Sequence, residues 1–309
     1  MNPAGLVKPE YVLNPRQLFR RLYRSVRKPA AKSMTVRLPW GWPIVVSTSD
    51  DIGKSLIHVG VYDLAVSEVL WRLCDEGALA LDVGANIGIM SALLACRVGA
   101  GGRVLCFEAN PAVADDLRSN VSRWKALSGA AQVQIFPIAL SDCEGTIRMV
   151  TPPEFKHNSG VSYVVHRPSA AAPAAESTFV PCSQLDTFLQ DTPEGGVAKM
   201  DVEGHEDAVL KGARHTLEKG IVRDWVFEHY GEYPSPVTDI FEANRYTIFQ
   251  IQKRFFGPHL VPMSKTIERS TWEPQSYLAT LDPDRALSRL KKTGWQVLHS
   301  RSRPAGETK

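Results

Sequence analysis

Residues 79–88 read Leu79-Ala80-Leu81-Asp82-Val83-Gly84-Ala85-Asn86-Ile87-Gly88, an apolar strand followed by a turn with two glycines. A helical pattern of apolar residues begins at Ile89. In open α/β sheets such a strand–turn–helix unit binds a nucleotide-type cofactor, because glycine lets the backbone approach the ligand and the helix presents its unpaired N–H groups. The stretch therefore predicts a cofactor at the edge of an α/β sheet. A tight turn without a ligand is the alternative.

The residues around this turn narrow the choice of cofactor. Glu108 follows the next apolar strand, Arg103–Phe107, where a carboxylate can bind both hydroxyls of a ribose. A dinucleotide fingerprint needs a glycine at the position of Asn86, for contact with pyrophosphate, and another at the position of Ile89. Because both glycines are missing, a cofactor with a ribose but no pyrophosphate fits better. We therefore expect S-adenosylmethionine, and a nicotinamide-dependent oxidoreductase is less favoured.

The composition is that of an ordinary globular protein. The chain has 309 residues, of which 44% are hydrophobic and 22% charged, enough for one domain with an appendage. It has no long uncharged apolar run and no apolar signal core near Met1, and its five cysteines lack Cys-x-x-Cys spacing. We therefore expect a cytoplasmic protein with free thiols. The net charge of +3 does not indicate a nucleic-acid partner, and the oligomeric state is not predicted.

Basic residues are concentrated near the amino terminus. Between Lys8 and Arg37 the chain has nine Lys and Arg residues, counting both ends, and a single acidic residue, Glu10. Apolar residues and arginines fall on opposite sides of a helical pattern, which predicts a basic amphipathic helix over residues 16–28. Such a helix can contact an anionic membrane at its periphery or hold an acidic substrate. A docked helix whose arginines are merely solvated is the alternative.

We divide the chain into an appendage, residues 1–50, and a domain, residues 51–309. The appendage combines the basic helix with a β-hairpin around Trp40-Gly41-Trp42. In the domain, strands alternate with helices, which predicts a doubly wound, mostly parallel α/β sheet of seven strands. The predicted strands are Leu79–Val83, Arg103–Phe107, Val133–Phe136, Val197–Met200, Trp225–Phe227, Thr247–Ile251 and Tyr277–Thr280. The predicted helices are Tyr62–Leu73, Ile89–Arg97, Ala112–Trp124, Glu206–Glu218 and Pro236–Ala243.

Two regions interrupt the alternation, near residues 145–180 and 253–274. The first contains two added strands, Gly145–Val150 and Gly160–Val165, which we expect to pair as a hairpin, followed by an alanine- and proline-rich mobile loop, Ser169–Ser177. The second region looks irregular. Insertions of this kind often form the substrate wall of an enzyme.

A second group of polar residues follows the strand that ends at Met200. Alternation places Lys199 and Asp201 on one side of this strand, and the turn Glu203-Gly204-His205 comes next. In doubly wound sheets ligands bind beyond the carboxyl ends of the strands. The polar residues expected at such ends are Asp82, Glu108, Asp201, Glu228 and His229. A carboxylate that ends a buried strand favours a functional role for Asp201, whereas Glu206 fits a partner of the helix dipole.

These motifs resemble the FkbM-type family of S-adenosylmethionine-dependent methyltransferases, in the class I methyltransferase superfamily. The resemblance covers about residues 50–280. It rests on Asp82-Val-Gly-Ala-Asn-Ile-Gly88, Phe107-Glu-Ala-Asn-Pro111, Ala139-Leu-Ser-Asp142 and Lys199-Met-Asp-Val-Glu-Gly-His-Glu206. It implies the class I sheet and O-methylation of a saccharide, a glycolipid or another hydroxylated natural product.

The resemblance also implies roles for individual residues. The loop that contains Asp82, Gly84, Asn86 and Gly88 would hold the methionine part of the cofactor. Glu108 would bind the ribose hydroxyls. The adenine side would be formed by Asn110, Ala139, Leu140 and Ser141, and Tyr62 would contact the cofactor carboxylate.

Methyl transfer to oxygen needs a hydroxyl aligned with the methyl carbon and a base to remove its proton. Asp201 and His229 are the candidate bases, and Glu203 and His205 would orient the acceptor. A divalent metal held by Asp201, Glu228 and His229 is possible but less favoured, because hard cations prefer more oxygen ligands than this set offers. A non-catalytic protein that docks on a membrane or an acidic glycan through the basic helix is the alternative function.

Overall fold

The computed structural model describes residues 9–12, 31–127, 129–156, 158, 160, 162–165, 176–190, 192–263 and 275–299. The basic helix predicted at residues 16–28 lies outside the described residues. So do most of the predicted mobile loop and residues 264–274 of the second interruption. Within the described ranges, no helix combines the length and apolarity needed to cross a membrane.

A sheet of eight strands forms the centre of the molecule. In spatial order its strands are β13 (Gly257–Pro262), β12 (Thr247–Arg254), β14 (Ser276–Thr280), β11 (Val222–Glu228), β10 (Gly196–Met200), β3 (Leu79–Val83), β4 (Arg103–Phe107) and β5 (Gln132–Phe136). The five strands from β11 to β5 are parallel, and β14 is antiparallel to both of its neighbours. All seven predicted strands are present, and the α/β fold class is confirmed.

The eighth strand corrects the prediction for residues 253–274, which we expected to be irregular. Strand β12 continues to Arg254 and pairs antiparallel with β13. Pro258 and Pro262 lie within β13, which occupies the edge of the sheet. An edge strand tolerates proline because the missing N–H group can face away from the neighbouring strand.

Helices cover both faces of the sheet. They are α1 (Pro9–Val12), α2 (Asp51–His58), α3 (Leu64–Leu73), α4 (Ile89–Val98), α5 (Pro111–Trp124), α6 (Asp186–Leu189), α7 (Glu206–Lys211), α8 (Arg214–Glu218), α9 (Pro236–Ala243), α10 (Pro283–Leu290) and α11 (Gln296–His299). The single helix predicted over Glu206–Glu218 is wrong, because the chain breaks into α7 and α8 at Gly212. A Cβ at Gly212 would lie 2.0 Å from the carbonyl oxygen of Ser141, so this close approach requires glycine.

A second sheet of four strands lies beside the first, in the order β6 (Ala139–Leu140), β9 (Glu176–Ser183), β7 (Gly145–Thr151) and β8 (Tyr163–Val165). The predicted pairing of the two added strands is confirmed by the antiparallel register of β7 and β8. However, β9 lies between β6 and β7, and it includes Ser177, which we had assigned to the mobile loop.

The predicted hairpin near the amino terminus is also present, as β1 (Ser33–Arg37) and β2 (Pro43–Ser47). It packs on α5, where the indole N–H of Trp124 donates to the carbonyl of Pro43 at 2.7 Å. The Asn120 side chain accepts from the N–H of Val45 at 2.8 Å and donates to the carbonyl of Ile87 at 2.9 Å. The hairpin is therefore tied to the turn that follows β3.

Arginines neutralise the carboxylates near the amino ends of β3 and β11. Asp224 is fully buried and accepts from Arg223 at 2.9 Å and from Arg285 at 3.0 Å. Asp75 contacts the same two arginines and Arg289. We call these five residues the arginine cluster. Burial opposes the charge of Asp75, but Arg289 and Arg285 outweigh it and lower the pKa of Asp75.

A buried ion pair on α3 holds the segment that follows α10. Glu68 and Arg72 lie 2.6 Å apart, with side-chain exposures of 0% and 2%. Glu68 accepts from the N–H groups of Gln296 and Val297, each at 2.8 Å, and Arg72 donates to the carbonyl of Gly294 at 2.6 Å. Apart from each other, the two charged groups therefore take their buried hydrogen bonds from backbone groups in α10 and in the segment up to α11.

Candidate active site

A cavity of about 430 Å³ opens at the carboxyl ends of β3, β4, β10 and β11. Two groups of residues line it and meet where Lys199 contacts Gly84. The first, which we call the glycine wall, consists of Gly84, Asn86, Glu108, Ala139 and Leu140. The second, the acidic wall, consists of Tyr62, Lys199, Asp201, Glu203, Glu228 and Tyr230. The cavity lies where ligands bind in doubly wound sheets.

The glycine wall depends on a close approach between two strand ends. Gly84 has φ 75°, and a Cβ there would lie 1.8 Å from the carbonyl oxygen of Asp201. Only glycine lets the turn after β3 pack against the end of β10. Asn86 follows with φ 49°, and its side-chain oxygen accepts from the N–H of Ile87 at 2.7 Å. The turn is thus held in one conformation beside the cavity.

Glu108 is fixed by backbone amides. Its two oxygens accept separately from the N–H groups of Asn86 and Asn110, each at 2.8 Å. Burial nevertheless raises the pKa of this carboxyl group. Because each carboxylate oxygen can accept more than one hydrogen bond, both keep capacity toward the cavity that Glu108 lines. The geometry fits a ligand with two neighbouring hydroxyls.

Lys199 links the two walls. Its ammonium donates to the carbonyl of Gly84 at 2.9 Å and lies 3.3 Å from Asp201 Oδ2 and 3.9 Å from Asp82 Oδ1. The expectation that Lys199 and Asp201 share one side of β10 is therefore confirmed. Burial disfavours the charged ammonium, but Asp201 and Asp82 outweigh burial and raise the pKa of Lys199.

For the remaining carboxyl groups of the acidic wall, burial and nearby negative charge outweigh the effect of Lys199. Burial and the charge of Asp201 raise the pKa of Glu203 to about 7 and the pKa of Glu228 to about 8. The same two causes raise the pKa of the Tyr62 phenol. Glu203 also has φ 52°, a backbone conformation that is strained for a residue with a side chain. Strain and uncompensated charge are more typical of functional sites than of structural ones.

Ten of the fifteen predicted site residues line the cavity: Tyr62, Gly84, Asn86, Glu108, Ala139, Leu140, Asp201, Glu203, His205 and Glu228. The lining side chains also include Met149 and Val164 of the four-stranded sheet, which sequence reasoning missed. From the sequence we place Lys199 only on one side of its strand and give it no role in the site. The signal for such a role is its spacing from Asp201, which puts both side chains on the same side of the strand.

Four other predicted cofactor residues stand behind the lining. Asp82 is buried and accepts from Ser91 Oγ at 2.5 Å. Gly88 permits packing, because a Cβ there would lie 2.6 Å from Leu117. The side chain of Asn110 caps α5, and Ser141 Oγ lies 3.1 Å from Nε2 of His205. The structure places them as supports of residues that face the cavity.

His229, a candidate base, does not line the cavity. Its Nδ1 lies 3.9 Å from Glu206, and its Nε2 is buried without a hydrogen-bond partner in the described part of the protein. This position does not fit a base that receives a proton from a substrate in the cavity.

The residues present do not fit a metal. Among the residues that the structure describes, no group of three or more His, Cys, Asp or Glu side chains is arranged to hold an ion. Of the three candidate ligands, Asp201 is paired with Lys199, and His229 faces Glu206. The donor set therefore gives no support to the divalent metal, which was the less favoured alternative.

Comparisons with known proteins are consistent with this geometry. The family model described as the methyltransferase FkbM domain matches residues 82–248, more than half of the chain. The chain is 29% identical over 178 residues to the hexuronic acid methyltransferase AglP of Haloferax volcanii, which covers 57% of this chain and 66% of AglP. It is 36% identical over 103 residues to the AMB antimetabolite synthetase AmbE of Pseudomonas aeruginosa, 32% of this chain but 5% of AmbE.

The chain thus spans less than two thirds of either curated relative. A solved structure titled methyltransferase FkbM from Methylobacillus flagellatus KT is 16% identical, with a TM-score of 0.40 and coverage of 74% of this chain and 61% of that one. The match of the family model includes the turn after β3, Glu108 and the end of β10, which together build the cavity. The chain belongs to the FkbM family of S-adenosylmethionine-dependent methyltransferases.

Proposed function

We propose that this protein is an O-methyltransferase that acts on a hydroxyl group of a saccharide or of a natural product that carries one. The observation that supports this most strongly is the cavity itself, which is lined both by a carboxylate oriented by two backbone amides and by a group of further carboxylates. Its volume of about 430 Å³ is in the usual range for a small-molecule site.

The glycine wall would hold the cofactor. Glu108, oriented by two backbone amides, accepts the ribose hydroxyls, and Ala139 and Leu140 contact the adenine. The turn at Gly84 and Asn86 borders the methionine part. When bound, S-adenosylmethionine supplies a methyl group on a positively charged sulfur. Asp82, Gly88, Asn110 and Ser141 keep this wall in place rather than touching the cofactor.

Tyr62 lines the cavity two residues before α3 begins, and there it would reach the cofactor carboxylate. Its raised pKa keeps the phenol protonated and able to donate a hydrogen bond. Tyr62 would therefore lie where the methionine part of the cofactor meets the acceptor.

The acidic wall would hold the acceptor and take its proton. Asp201 is the proposed base, because it ends β10 at the cavity with its side chain 24% exposed, and Lys199 holds it in place at 3.3 Å. Glu203 and Glu228 accept hydrogen bonds from neighbouring hydroxyls, and His205 is anchored by Ser141. Alignment supplies most of the acceleration, and a base adds about 10²–10⁴-fold.

A saccharide acceptor is supported by two observations. Neighbouring carboxylates are suited to accept hydrogen bonds from the several hydroxyls of a sugar. In addition, the relative AglP is named as a methyltransferase of a hexuronic acid, which is a sugar derivative. We expect methylation at oxygen, because a saccharide without amino groups offers only oxygen nucleophiles.

The purified protein should transfer a labelled methyl group from S-adenosylmethionine to members of a panel of methyl glycosides. S-adenosylhomocysteine release gives the rate, and the carbon-13 shift of the new methyl group identifies the atom that received it. A methyl group on nitrogen or carbon, or no transfer to any glycoside despite binding of S-adenosylhomocysteine, would contradict the proposal.

A further inference from the structure

The acidic wall carries more negative charge than a site for an acidic sugar should. Three carboxyl groups, Asp201, Glu203 and Glu228, line it, and Glu108 lines the same cavity. Among the described residues that line the cavity, Lys199 is the one side chain that carries a permanent positive charge. At pH 8, above its pKa of about 7, Glu203 is mainly ionised, so Asp201 and Glu203 together carry more negative charge than Lys199 offsets.

The charge of Lys199 is already shared with carboxylates of the protein. Its ammonium donates to the carbonyl of Gly84 at 2.9 Å and lies 3.3 Å from Asp201 and 3.9 Å from Asp82. A negatively charged acceptor would have to compete with these two carboxylates for it. It would also come close to Glu203 without a counter-charge, and uncompensated like charges in a partly buried site are costly.

Glu203 is held in this position by the backbone rather than by a partner. It has φ 52° and Gly204 has φ 91°, so two consecutive residues are in the left-handed region. Glu206 Oε1 accepts from the N–H of Gly204 at 3.0 Å and fixes the turn. A strained conformation that keeps a half-buried carboxylate on the cavity wall is expected where that carboxylate acts on a ligand.

We propose, on the basis of the proposed function, that the acidic wall selects an uncharged saccharide and rejects a saccharide with a carboxylate next to the reacting ring, Glu203 being the main determinant. The acceptor would then differ in charge from the hexuronic acid in the name of AglP, although the two chains are related. At 29% sequence identity, the residues of the acidic wall can differ between the two proteins.

Matched pairs of acceptors test this directly. Methyl glucoside, galactoside and mannoside are each compared with the corresponding hexuronide, which differs only in having a carboxylate in place of the terminal CH₂OH. At pH 8 we expect kcat/KM for the best neutral acceptor to exceed that of its hexuronide partner by about 30-fold or more, since one unfavourable charge contact of about 2 kcal/mol gives this ratio.

Two variants of Glu203 separate charge from shape. Glu203→Gln keeps the size and should reduce the preference for the neutral acceptor about tenfold. Glu203→Lys should raise kcat/KM for the hexuronide above that of the unsubstituted protein, a gain that misfolding cannot produce. Glu218→Gln, a substitution of an exposed carboxylate on α8, should leave the preference unchanged. The Kd for S-adenosylhomocysteine checks that every variant retains its cofactor site.

The possible failures are distinguishable. Equal or better turnover of the hexuronides would overturn the inference and leave the O-methyltransferase proposal intact. A preference for neutral acceptors that persists unchanged in both Glu203 variants would overturn the role of Glu203. If no acceptor of either series is methylated, the proposed function fails, and the inference that depends on it fails too.

Discussion

The two ends of the parallel sheet treat their carboxylates differently. At the amino ends, Asp75 and Asp224 are neutralised by the arginine cluster, and the pKa of Asp75 is lowered. At the carboxyl ends, one lysine serves several carboxylates, and the pKa values of Glu203 and Glu228 rise to about 7 and about 8. The same strands thus end near more arginines than carboxylates on one side and near more carboxyl groups than cations, among the described residues, on the other.

The difference indicates what each end contributes. Matched charges lower the free energy of the folded state, whereas unmatched carboxylates in a partly buried place raise it. A protein retains such a cost where the groups act on a ligand. Replacing the carboxylates at the amino ends should therefore lower stability with little effect on activity per folded molecule, whereas replacing those at the carboxyl ends should lower activity without lowering stability.

The largest effect should come from Asp201→Asn. If Asp201 takes the proton of the acceptor, the substitution should lower kcat by about 10³-fold, because an amide cannot act as the base. The Kd for S-adenosylhomocysteine should stay within about twofold of its original value. Asp207→Asn is the matched control, because Asp207 also pairs with a lysine, Lys211 at 2.8 Å, but on an exposed helix face. Retention of kcat in Asp201→Asn would refute the assignment.

Asp224→Ala should have the next largest effect, on stability. It leaves Arg223 and Arg285 without their shared buried partner, and we expect a loss of about 3 kcal/mol in the free energy of unfolding. Asp115→Ala, which removes the partner of Arg118 in an exposed pair, should cost less than about 0.5 kcal/mol. Denaturant unfolding measures both. If both variants lost the same free energy of unfolding, the ion pairs of the arginine cluster would contribute no more to stability than an exposed pair does.

Two glycines that flank β3 allow a third comparison. Gly77 and Gly84 have φ 78° and 75°, but a Cβ at Gly77 has no neighbour within 4 Å, whereas one at Gly84 lies 1.8 Å from the carbonyl oxygen of Asp201. Both Ala variants should lose about 1 kcal/mol for the left-handed backbone, and Gly84→Ala should lose more because its Cβ overlaps a backbone oxygen. Only Gly84→Ala should also weaken the binding of S-adenosylhomocysteine, by about tenfold. Calorimetric titration of the two variants decides whether the effect belongs to the site.

The smallest effect should be a gain in stability. The pKa of Glu203 is about 7 in the folded protein, above the usual value of a glutamate, so the folded state loses stability as the pH rises toward 7. Glu203→Gln removes this cost. After allowance for the partial exposure of Glu203, we expect about 1 kcal/mol more stability than the original protein at pH 8 and little difference at pH 5. A variant that is less stable at pH 8 would disagree with the raised pKa.

Much of the fold could be predicted because its signals are local. The seven strands were recognisable as apolar runs, and the polar residues at their ends meet at one edge because parallel strands require it. The edge strand β13 was missed because proline normally indicates that a strand is interrupted. The sequence does not show that Pro258 and Pro262 lie at the edge of the sheet, where proline is tolerated. Strand β9 was missed because its partners, β6 and β7, are distant in sequence.

The site was predicted less completely for a related reason. From the sequence we can infer which residues lie at the edge of the sheet where the strands end. The sequence does not show which of their side chains point into the cavity. Asn110 followed by Pro111 is also a signal for a helix cap, and the structure uses it that way. His229 lies next to Glu228 in the chain, yet only Glu228 lines the cavity. Side chains that alternate along a strand end on opposite sides of it.

The ion pair between Glu68 and Arg72 bears on how the protein can be shortened. Its partners, Gly294, Gln296 and Val297, lie well beyond residue 248, where the family match ends. A fragment that ends where the family match ends would leave Glu68 and Arg72 in the interior without these hydrogen-bond partners. It would also lack β14. The recognisable family segment is therefore shorter than the cooperative unit, and recombinant fragments should extend at least through residue 299.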